Sequence, residues 1–498
     1  MFLGPILLFV TALGLKFSGL SWPASWAAGT VALMSCWWIT EPVALWATAC
    51  VPIITFPVFS DASIFIILLQ YLDPVNFLFL GGMWIGACME QWGLHRRIAL
   101  NIVSKIGTSP RRIVLGFMLA TGFVTLWISN TAAAVMMFPI GMAVLRKFEE
   151  QHSRSDELLQ RFGLALMLGI AYAASIGGIG TKIGTGTNLV FVKNSPQPID
   201  FITWAKIGMP VVLISIPVVW FYLVRFGARV PDRDFPGGAE TIREERARLG
   251  HMKPGEIVAL IAFVTAAILW IFRKDIELGT LTIPGWSRLI AWQWKDILPL
   301  DRWPEPVQKL FSDPGDAVVA MCVAGLLFLI PVQRGEPRFA LSVTSARRIT
   351  WGMLVLLGGG FAMAYGIQAS GLSKSIAANL EHISKLNPFV LGIVVSFIAI
   401  ALTEVASNTA TASILLPILA ASAGSAGLEP LPLMLTVTMS ASFGFMLPAG
   451  TPPNAIVYSS GYITVPQMAR SGLVVDIFGG ILVAVICYFL APWALGLK

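Results

Sequence analysis

Charged side chains are scarce in this sequence. Asp, Glu, Lys and Arg make up 12% of its 498 residues, whereas 56% of the residues are hydrophobic. Soluble globular proteins carry about 25% charged residues, so this composition excludes an ordinary soluble domain. It predicts instead a chain that lies largely within a lipid bilayer.

Cysteine and histidine are also few, and neither type clusters. The five cysteines lie apart in apolar stretches without a Cys-x-x-Cys pair, and the four histidines show no metal-ligand spacing. This pattern excludes a disulfide framework and a Cys/His metal centre. The apolar segments contain neither His-Glu-x-x-His nor paired aspartates, which excludes an intramembrane protease.

The net charge of +7 does not indicate a nucleic-acid partner. The Lys and Arg residues fall between apolar segments, where positive charge fixes the orientation of a membrane protein. The basic connection 95–112 and the long polar loop 225–254 are therefore predicted to be cytoplasmic, and the acidic connection 60–74 to lie on the opposite side. The tryptophan-rich segment 273–315 is predicted to lie along the outer interface.

The apolar runs have the length of membrane helices, which need roughly 20 residues to cross the hydrocarbon core. Uninterrupted helices are predicted near residues 2–20, 24–39, 42–59, 75–93, 206–224, 255–272, 316–333, 349–371 and 471–494. Two further helices, 163–195 and 431–461, contain interruptions. Together these segments give eleven predicted crossings.

A Ser-Asn-Thr motif occurs twice in the middle of apolar sequence. Ser129-Asn130-Thr131 and Ser407-Asn408-Thr409 lie 278 positions apart (129 to 407), and flanking Gly, Leu and Pro residues share that offset. The first motif sits within 33 uncharged residues that have a basic residue at each end, Arg112 and Arg146. Two half-helices that enter and leave by one membrane face satisfy both basic ends. Each motif is therefore predicted at the turn of a re-entrant hairpin.

Each motif is followed by a Gly-Thr-x-x-Asn sequence, at 184–188 and 450–454. Dense glycines disfavour a continuous helix, so the first of these helices is predicted to break at 184–188. Non-helical backbone within a bilayer is tolerated where it is buried in protein or lines a cavity. Because the basic loops place the two copies on opposite faces, the predicted fold is an all-α polytopic membrane protein. It has about eleven transmembrane helices plus two re-entrant hairpins, in two repeats of inverted topology.

The predicted breaks and turns supply polar groups for ions. A broken helix exposes carbonyls, which suit a cation, and amides, which suit an anion. Neutral side-chain oxygens suit sodium, and threonine hydroxyls can donate to a carboxylate. The candidate oxygen ligands for sodium are Thr125, Ser129, Asn130, Thr403, Ser407 and Asn408. The candidate donors to a substrate carboxylate are Thr131 and Thr409. Helix capping would explain one such motif, but two copies in one register favour a transport site.

Two charged residues near the motifs have open roles. Glu404 precedes Asn408 by four residues, where the first copy has Leu126. It could carry a coupling proton, sit beside a cation, or accept hydrogen bonds from backbone near the turn. Lys182 lies two residues before Gly184. Its ammonium is expected to snorkel away from the site, although it could instead occupy the position of a sodium ion.

At these motifs the chain resembles the divalent anion/sodium symporter family of sodium-coupled dicarboxylate and sulfate transporters. The paired Ser-Asn-Thr motifs are the family signature, and the similarity extends to Trp-Trp-Ile-Thr-Glu at 37–41, Leu-Gly-Gly-Gly-Phe at 357–361 and the segment 447–457. It covers nearly the whole chain. Many relatives have Gly-Thr-Pro-Pro-Asn in the first interruption, where this chain has Gly-Thr-Gly-Thr-Asn.

The resemblance implies a homodimer in the inner cell membrane, in which a transport part moves like an elevator past a static scaffold. The scaffold would comprise the N-terminal helices of 1–111 and the loop and helices of 230–387. The transport part would comprise a hairpin, a broken helix and a further helix in each of 112–229 and 388–498. The implied sodium ligands are Thr125, Ser129, Asn130 and Gly184 at one site and Thr403, Ala406, Asn408 and Gly450 at the other. The implied substrate ligands are Asn130, Thr131, Thr185, Asn408, Thr409, Thr451 and Pro452.

The implied function is transport and not catalysis. The resemblance implies sodium-coupled import of C4-dicarboxylates such as succinate, malate or fumarate, with sodium as coupling ion and no cofactor. Two alternatives stay open. Dicarboxylate exchange without sodium would be favoured if the Lys182 ammonium took a sodium position, and sodium/sulfate symport is possible because sulfate is also a small divalent oxyanion.

Overall fold

The computed structural model describes residues 1–60, 62–107, 109–150, 156–231, 238–278, 281–288, 315–335, 338–380, 387–423 and 429–497. These residues are almost entirely helical, as predicted. Most of the predicted interfacial segment 273–315 lies outside the described residues. What is described there includes a small antiparallel hairpin of β1 (Ile276–Leu278) and β2 (Leu281–Ile283), in which Ile276 pairs with Ile283.

The helices up to residue 231 are α1 (Leu3–Phe17), α2 (Trp22–Thr40), α3 (Leu45–Thr48), α4 (Val51–Phe59), α5 (Ile64–Tyr71), α6 (Pro74–Trp92), α7 (Leu94–Ile106), α8 (Pro110–Thr125), α9 (Asn130–Glu149), α10 (Glu157–Gly178), α11 (Gly186–Asn194) and α12 (Phe201–Tyr222), which a π-helical turn over Leu223–Gly227 extends. The later helices are α13 (Gly238–Arg248), α14 (Pro254–Ile271), α15 (Asp316–Leu327), α16 (Val343–Arg347), α17 (Trp351–Ala369), α18 (Leu372–Leu380), α19 (Pro388–Thr403), α20 (Asn408–Ala423), α21 (Pro430–Ser440), α22 (Pro452–Tyr458) and α23 (Val465–Leu495).

Many of these helices are long and apolar enough to cross a membrane. Seven stretches of the described residues meet both criteria: Ile64–Trp92, Asn130–Glu149, Glu157–Gly178, Phe201–Gly227, Pro254–Ile271, Trp351–Ala369 and Val465–Leu495. Other predicted crossings form shorter helices, such as α1 with 15 residues and α15 with 12 residues. Helix α15 ends early because the chain after it turns back and pairs Pro331 with Phe339. The count of eleven crossings stays a prediction.

The N-terminal helices differ from the prediction in two places. The predicted helix 42–59 is two helices, α3 and α4, which meet at Ala49 and Cys50. Pro52 lies in the first turn of α4, where its missing N–H costs nothing but where it cannot continue a preceding helix. The predicted connection 60–74 contains the apolar helix α5. Its acidic neighbour Asp73 caps α6 by accepting a hydrogen bond from the Val75 amide at 2.9 Å.

The first interruption lies earlier than predicted. The sequence placed the break at 184–188, but α10 ends at Gly178 and α11 begins at Gly186. Thr185 is extended and precedes the first helical turn, in which backbone amides need no intrahelical acceptor. Gly186 therefore starts a helix and does not break one. The second interruption separates α21 from α22, inside the predicted segment 431–461.

The two copies have the same local structure. Helices α8 and α19 both have 16 residues, and each ends at a threonine five positions before the asparagine of its Ser-Asn-Thr motif. Helices α9 and α20 both begin at that asparagine. The repeated helix-turn-helix is thus present in the structure, whereas the inverted orientation of the copies in the membrane stays a prediction.

Helix α10 lies in the largest of the three hydrophobic clusters formed by the described residues. Every residue from Phe162 to Gly178 is buried. A second core packs the N-terminal helices α2 and α4 against α17 and the first half of α20. Because protein surrounds α10, the interruption that follows it is shielded from lipid.

Candidate functional site

The turn of the first hairpin is held by its own hydroxyl groups. Thr125 is buried at the end of α8, and its Oγ1 lies 3.1 Å from Thr121 O and 3.0 Å from Gly122 O. Ser129 is exposed and caps α9, because its Oγ accepts a hydrogen bond from the Ala132 amide at 3.3 Å. Serine is a favoured residue at this position, since its side chain satisfies one of the free amides of the first turn.

The turn of the second hairpin has the same serine cap, but its threonine makes different contacts. Ser407 accepts a hydrogen bond from the Ala410 amide at 3.2 Å. Thr403 is buried at the end of α19, and its Oγ1 lies 2.8 Å from both Asn408 Oδ1 and Ala441 O. Thr403 can therefore donate to the asparagine of its own motif, which Thr125 does not do in the first copy. Ala406 is buried within the same turn.

The asparagine that ends each Gly-Thr-x-x-Asn sequence holds the interruption open. Asn188 Nδ2 donates to Gly178 O at 2.9 Å and to Thr181 O at 2.7 Å. Asn454 Nδ2 donates to Gly444 O and Leu447 O, both at 3.0 Å. Donors and acceptors in the two copies are all 266 positions apart (188 to 454, 178 to 444, 181 to 447). The sequence motif contained these asparagines, but sequence reasoning gave them no role.

The hairpin turn and the interruption of the first copy are in direct contact. A Cβ added at Gly184 would lie 2.5 Å from Gly178 O and 2.9 Å from Thr125 O, so only glycine fits there. Thr181 Oγ1 also donates a hydrogen bond to Leu126 O. The structure therefore brings together Thr125 and Gly184, two of the four ligands predicted for the first sodium site.

Asn130 contributes a free acceptor to the same place. Its Oδ1 is buried and has no hydrogen-bond partner among the described residues. A Cβ added at Gly178 would lie 2.5 Å from this oxygen and 3.2 Å from Gly184 O, so both oxygens border one small volume. A buried acceptor beside a backbone carbonyl fits a hard cation that is bound by oxygen.

In the second copy there is more space around the glycine between the turn and the interruption. A Cβ added at Gly450 would lie 3.4 Å from both Glu404 O and Glu404 Oε2, and one added at Gly444 would lie 3.0 Å from Thr403 Cγ2. The predicted ligands Thr403, Asn408 and Gly450 are thus gathered around one turn. Glu404 lies closest to Gly450.

The two copies meet at their substrate-binding candidates. A Cβ added at Gly186 would lie 2.7 Å from Thr409 Oγ1, and Thr409 is buried. Thr185 and Thr451 both precede a half-helix in extended conformation, and neither hydroxyl caps that helix. Thr451 Oγ1 is buried and has no partner among the described residues. Thr185 therefore does not cap the first amides of α11, whereas α22 begins with Pro452 and Pro453, so its first N–H belongs to Asn454.

Two predicted substrate ligands are less constrained. Thr131 and Pro452 are exposed in the first turns of α9 and α22. No hydrogen bond of the described residues joins either of them to the other predicted ligands. Their part in binding stays a prediction.

Lys182 does not snorkel. Only 5% of its surface is exposed, and its Nζ donates to the Asp316 carboxylate on α15 and, at 2.6 Å, to Ile199 O. Asp316 also accepts a hydrogen bond from Arg273 Nε at 2.6 Å. The expectation of snorkelling was wrong because a buried carboxylate 134 positions away compensates the ammonium. Two of the three N–H donors of the Lys182 ammonium are thereby engaged by groups other than those around Gly184.

Glu404 supports the interruption of its own copy. It is 7% exposed and accepts hydrogen bonds from the amides of Met446 at 2.8 Å and Leu447 at 3.1 Å. This is the backbone role that the sequence left open. Sequence reasoning missed a second buried acid, Asp476 on α23, although an acidic residue within a 31-residue apolar helix was a signal.

The larger cavities lie beside the site and not within it. One cavity of about 640 Å³ lies between α9, α13 and the end of α22, and its lining includes Arg146, Lys147 and Ser460. Another, of about 390 Å³, lies on the adjacent face of α9 and reaches Ala132 in its first turn. The first cavity opens beside the basic end of α9, which the sequence predicts to be cytoplasmic.

Comparison with known proteins identifies relatives along the whole chain. A family model described as the sodium:sulfate symporter transmembrane region matches residues 5–495. The sodium-dependent dicarboxylate transporter SdcS of Staphylococcus saprophyticus is 37% identical over 503 residues, which cover 99% of this chain and 91% of that protein. SdcS of Staphylococcus aureus strain MRSA252 is 35% identical over 502 residues with the same coverage.

Two solved structures share the fold at low sequence identity. Neisseria gonorrhoeae MtrF, described as one of a class of antimetabolite efflux pumps, aligns with a TM-score of 0.55 and 14% identity over 96% of each chain. The Alcanivorax borkumensis YdaH transporter aligns with a TM-score of 0.55 and 13% identity, over 85% of this chain and 87% of that one.

Proposed function

Because the chain belongs to the sodium:sulfate symporter family, we propose that it imports C4-dicarboxylates such as succinate, malate or fumarate together with sodium ions. Membership makes it a transporter and not an enzyme, and a multi-pass integral membrane protein of the cell membrane. The names of the SdcS relatives support the choice of substrate and of coupling ion.

The observation that carries the proposal is the meeting of two uncapped half-helices with two hairpin turns. The hydroxyls of Thr185 and Thr451 do not cap α11 and α22, and Gly186 at the start of α11 lies against Thr409. Helix N-termini attract anions. The substrate carboxylates would bind here, between Asn130, Thr131 and Thr185 of one copy and Asn408, Thr409, Thr451 and Pro452 of the other.

Sodium ions would bind on either side of the substrate. The first would take Thr125, Ser129, Asn130 and Gly184, where the unpartnered Asn130 Oδ1 supplies an available ligand. The second would take Thr403, Ala406, Asn408 and Gly450. No arginine lies in either motif, so these cations, with amides and hydroxyls, would balance the charge of the substrate.

The transport cycle would move this whole assembly across the membrane. We propose eleven crossings and two re-entrant hairpins in inverted repeats, a homodimer, and an elevator movement of the transport part past the scaffold. If more than two sodium ions accompany a dianion, net positive charge moves inward. Each elementary charge then gains about 2.3 kcal/mol for every 100 mV of membrane potential, so import would be electrogenic.

Uptake into proteoliposomes tests the proposal. Labelled succinate should accumulate when sodium is higher outside, and accumulation should increase when the interior is made negative. Uptake that ignores the sodium gradient would contradict sodium coupling, and uptake that requires only internal dicarboxylate would establish exchange. Competition by sulfate, stronger than by malate or fumarate, would make sulfate the substrate.

A single variant tests the first sodium site. Asn130→Ala removes an acceptor that has no partner among the described residues, so the fold should be little affected while more sodium is required for half-maximal uptake. Thermal unfolding and sodium titration of uptake measure the two effects separately. An unchanged sodium requirement would exclude Asn130 as a ligand.

A further inference from the structure

Three ion pairs between described residues join the proposed transport part to the proposed scaffold. In each of them the residue of the transport part lies between positions 182 and 200, in the segment that contains α11. The pairs are Lys182 with Asp316, Lys193 with Asp73, and Lys274 with Asp200 at 3.9 Å. The other ion pairs between described residues lie within one part. Within the described part of the chain, charged contact between the two parts is therefore confined to the first copy.

Two of these pairs are well shielded from solvent. The side chains of Lys182 and Asp316 are 6% and 4% exposed, and those of Lys193 and Asp73 are 30% and 12% exposed. The Lys193 ammonium also lies 5.8 Å from the centre of the Phe361 ring on α17, within the range of a cation–π contact. Buried charges are screened less than exposed ones. These contacts therefore hold α11 and the turn before it against the scaffold helices α6, α15 and α17.

The buried pair can separate without leaving either charge alone. On the scaffold side, Asp316 also accepts a hydrogen bond from Arg273 Nε at 2.6 Å, and it lies in the first turn of α15, where a negative charge is favoured. On the transport side, Lys182 also donates to Ile199 O at 2.6 Å. A buried charge that loses its only partner is strongly destabilising. Because each charge keeps a partner in its own part, this pair is suited to break and form again.

Both aspartates lie at the ends of scaffold helices that the sequence predicts to face outside. Asp73 caps α6 and Asp316 lies in the first turn of α15, and both helices run toward basic connections on the predicted cytoplasmic side. The cytoplasmic side is open. A cavity of about 390 Å³ is lined by Arg96 in a basic connection and by Ala132 beside the first Ser-Asn-Thr motif. The two pairs therefore close the outer side of an arrangement that opens toward the cytoplasm.

The second copy has no charge at the equivalent positions. With the offset of 266 that relates the two interruptions, Pro448 corresponds to Lys182 and Ser459 to Lys193 (182 to 448, 193 to 459). Ser459 is exposed and lines the cavity of about 640 Å³ beside the basic end of α9. The end of α11 is thus bound to the scaffold on the outer side, whereas the equivalent end of α22 borders open space on the inner side.

We propose that the pairs Lys182–Asp316 and Lys193–Asp73 form a latch, which holds the transport part against the outer side of the scaffold while the binding site faces the cytoplasm. The latch opens when the transport part moves outward and closes when it returns. This inference rests on the elevator movement of the proposed function, but not on the identity of the substrate or the coupling ion. Because the latch stabilises one of two arrangements, weakening it shifts the equilibrium toward the outward-facing one.

A reversible crosslink across the latch tests whether its pairs separate during transport. In a background in which the five cysteines are replaced, Lys193→Cys and Asp73→Cys are joined by a membrane-impermeant, reducible thiol crosslinker added outside. Crosslinking should abolish uptake of labelled succinate, and reduction should restore it. The matched control joins Asp275→Cys to Arg288→Cys, an exposed ion pair within the scaffold, and should leave uptake unchanged. Full uptake by the crosslinked latch variant would overturn the proposal.

Accessibility of Ser459→Cys gives a readout that needs neither sodium nor substrate. A thiol reagent applied from the cytoplasmic side should modify S459C at least as fast after the latch is crosslinked as before. Asp73→Asn keeps the helix cap but removes the charge, so it should slow this modification about twofold. Lys182→Met, which loses the more buried pair, should slow it further, and Arg288→Gln should not change it. Slower modification after crosslinking, or no change in both D73N and K182M, would contradict the latch.

These outcomes separate the latch from the proposed function. If crosslinked transporter keeps an uptake that depends on sodium, the latch is wrong and sodium-coupled import stands. If uptake is independent of sodium, or succinate is not transported, while S459C responds as expected, the proposed function fails and the latch stands.

Discussion

The two copies of the repeated unit share one backbone geometry but differ in the charges that support it. In both, a serine caps the hairpin and an asparagine donates to two carbonyls across the interruption. In the first copy, Lys182 ties the interruption to Asp316 of α15. In the second copy, Pro448 stands at that position and the buried Glu404 and Asp476 lie beneath the interruption.

If both glycines border a sodium site as proposed, this difference predicts that the two sites have unequal affinities. A cation beside Gly184 has an ammonium two residues away, although that ammonium is paired with Asp316. A cation beside Gly450 has a carboxylate oxygen of Glu404 close to it. Because charges interact strongly in a low-dielectric interior, we expect the second site to bind sodium more tightly than the first.

The largest effect should come from breaking the ion pair of the first copy. Removing one partner of a buried pair costs about 3–5 kcal/mol because the other charge stays buried. Asp316→Asn removes the carboxylate that Lys182 and Arg273 share, so it should lower the unfolding temperature more than Lys182→Met, after which Arg273 still compensates Asp316. Thermal unfolding of the purified transporter measures this.

Lys274→Met is the control for that comparison. Lys274 is a neighbouring, partly exposed lysine that lies 3.9 Å from Asp200, and such surface pairs contribute about 0–1 kcal/mol. If K182M is as mild as K274M, the buried pair does not stabilise the first interruption.

The next largest loss of stability should come from replacing the asparagine that spans the interruption in both copies. Asn188→Ala and Asn454→Ala each remove a donor shared by two buried carbonyls. Thr181 O and Leu447 O still accept from the Gly184 and Gly450 amides, so Gly178 O and Gly444 O lose the most, at about 1–3 kcal/mol for an unsatisfied group. The two variants should lose similar stability, and both should lose uptake. Asn194→Ala is a control, because among the described residues Asn194 donates only to Val190 O, within its own helix. A large loss in one copy and none in the other would show that the interruptions are held differently.

The smallest effect should come from the hairpin caps. Ser129→Ala and Ser407→Ala should each cost about 1 kcal/mol, whereas the glycine variants should cost only a few tenths. Unfolding temperatures of the four variants test this. If S129G restores stability but not sodium affinity, the hydroxyl is a ligand as well as a cap. If the glycine variants lose as much stability as the alanine variants, the serine hydroxyl does not act as a helix cap.

The local features of the site could be predicted from sequence because their causes are local. The uncharged stretch around Ser129 and the repeated motif at Ser407 were sufficient to predict both helix-turn-helix units. The start of α11 was misplaced because Gly186 was taken as a helix breaker, although glycine is tolerated in a first turn. Helix α5 was missed because the acidic residues around it indicated a connection.

The long-range partners could not be predicted in this way. Nothing around Lys182 indicates Asp316, since the two are 134 positions apart and meet only when α15 packs nearby. Asp476 belongs to no motif, and only the packing of α23 shows that it is buried. Compensation of buried charge is a tertiary property, so a single sequence indicates the charge but not its partner.

The paired hydrogen bonds of Asn188 and Asn454 have a consequence for ligand binding. Each side-chain amide donates to two carbonyls across a gap in a helix, so bonds within the protein itself hold the gap. The gaps therefore keep their shape between cycles, and an arriving ion or substrate need not order them. Preorganisation of this kind lowers the entropic cost of association, so weakly interacting neutral ligands can suffice where a flexible site would need charged ones.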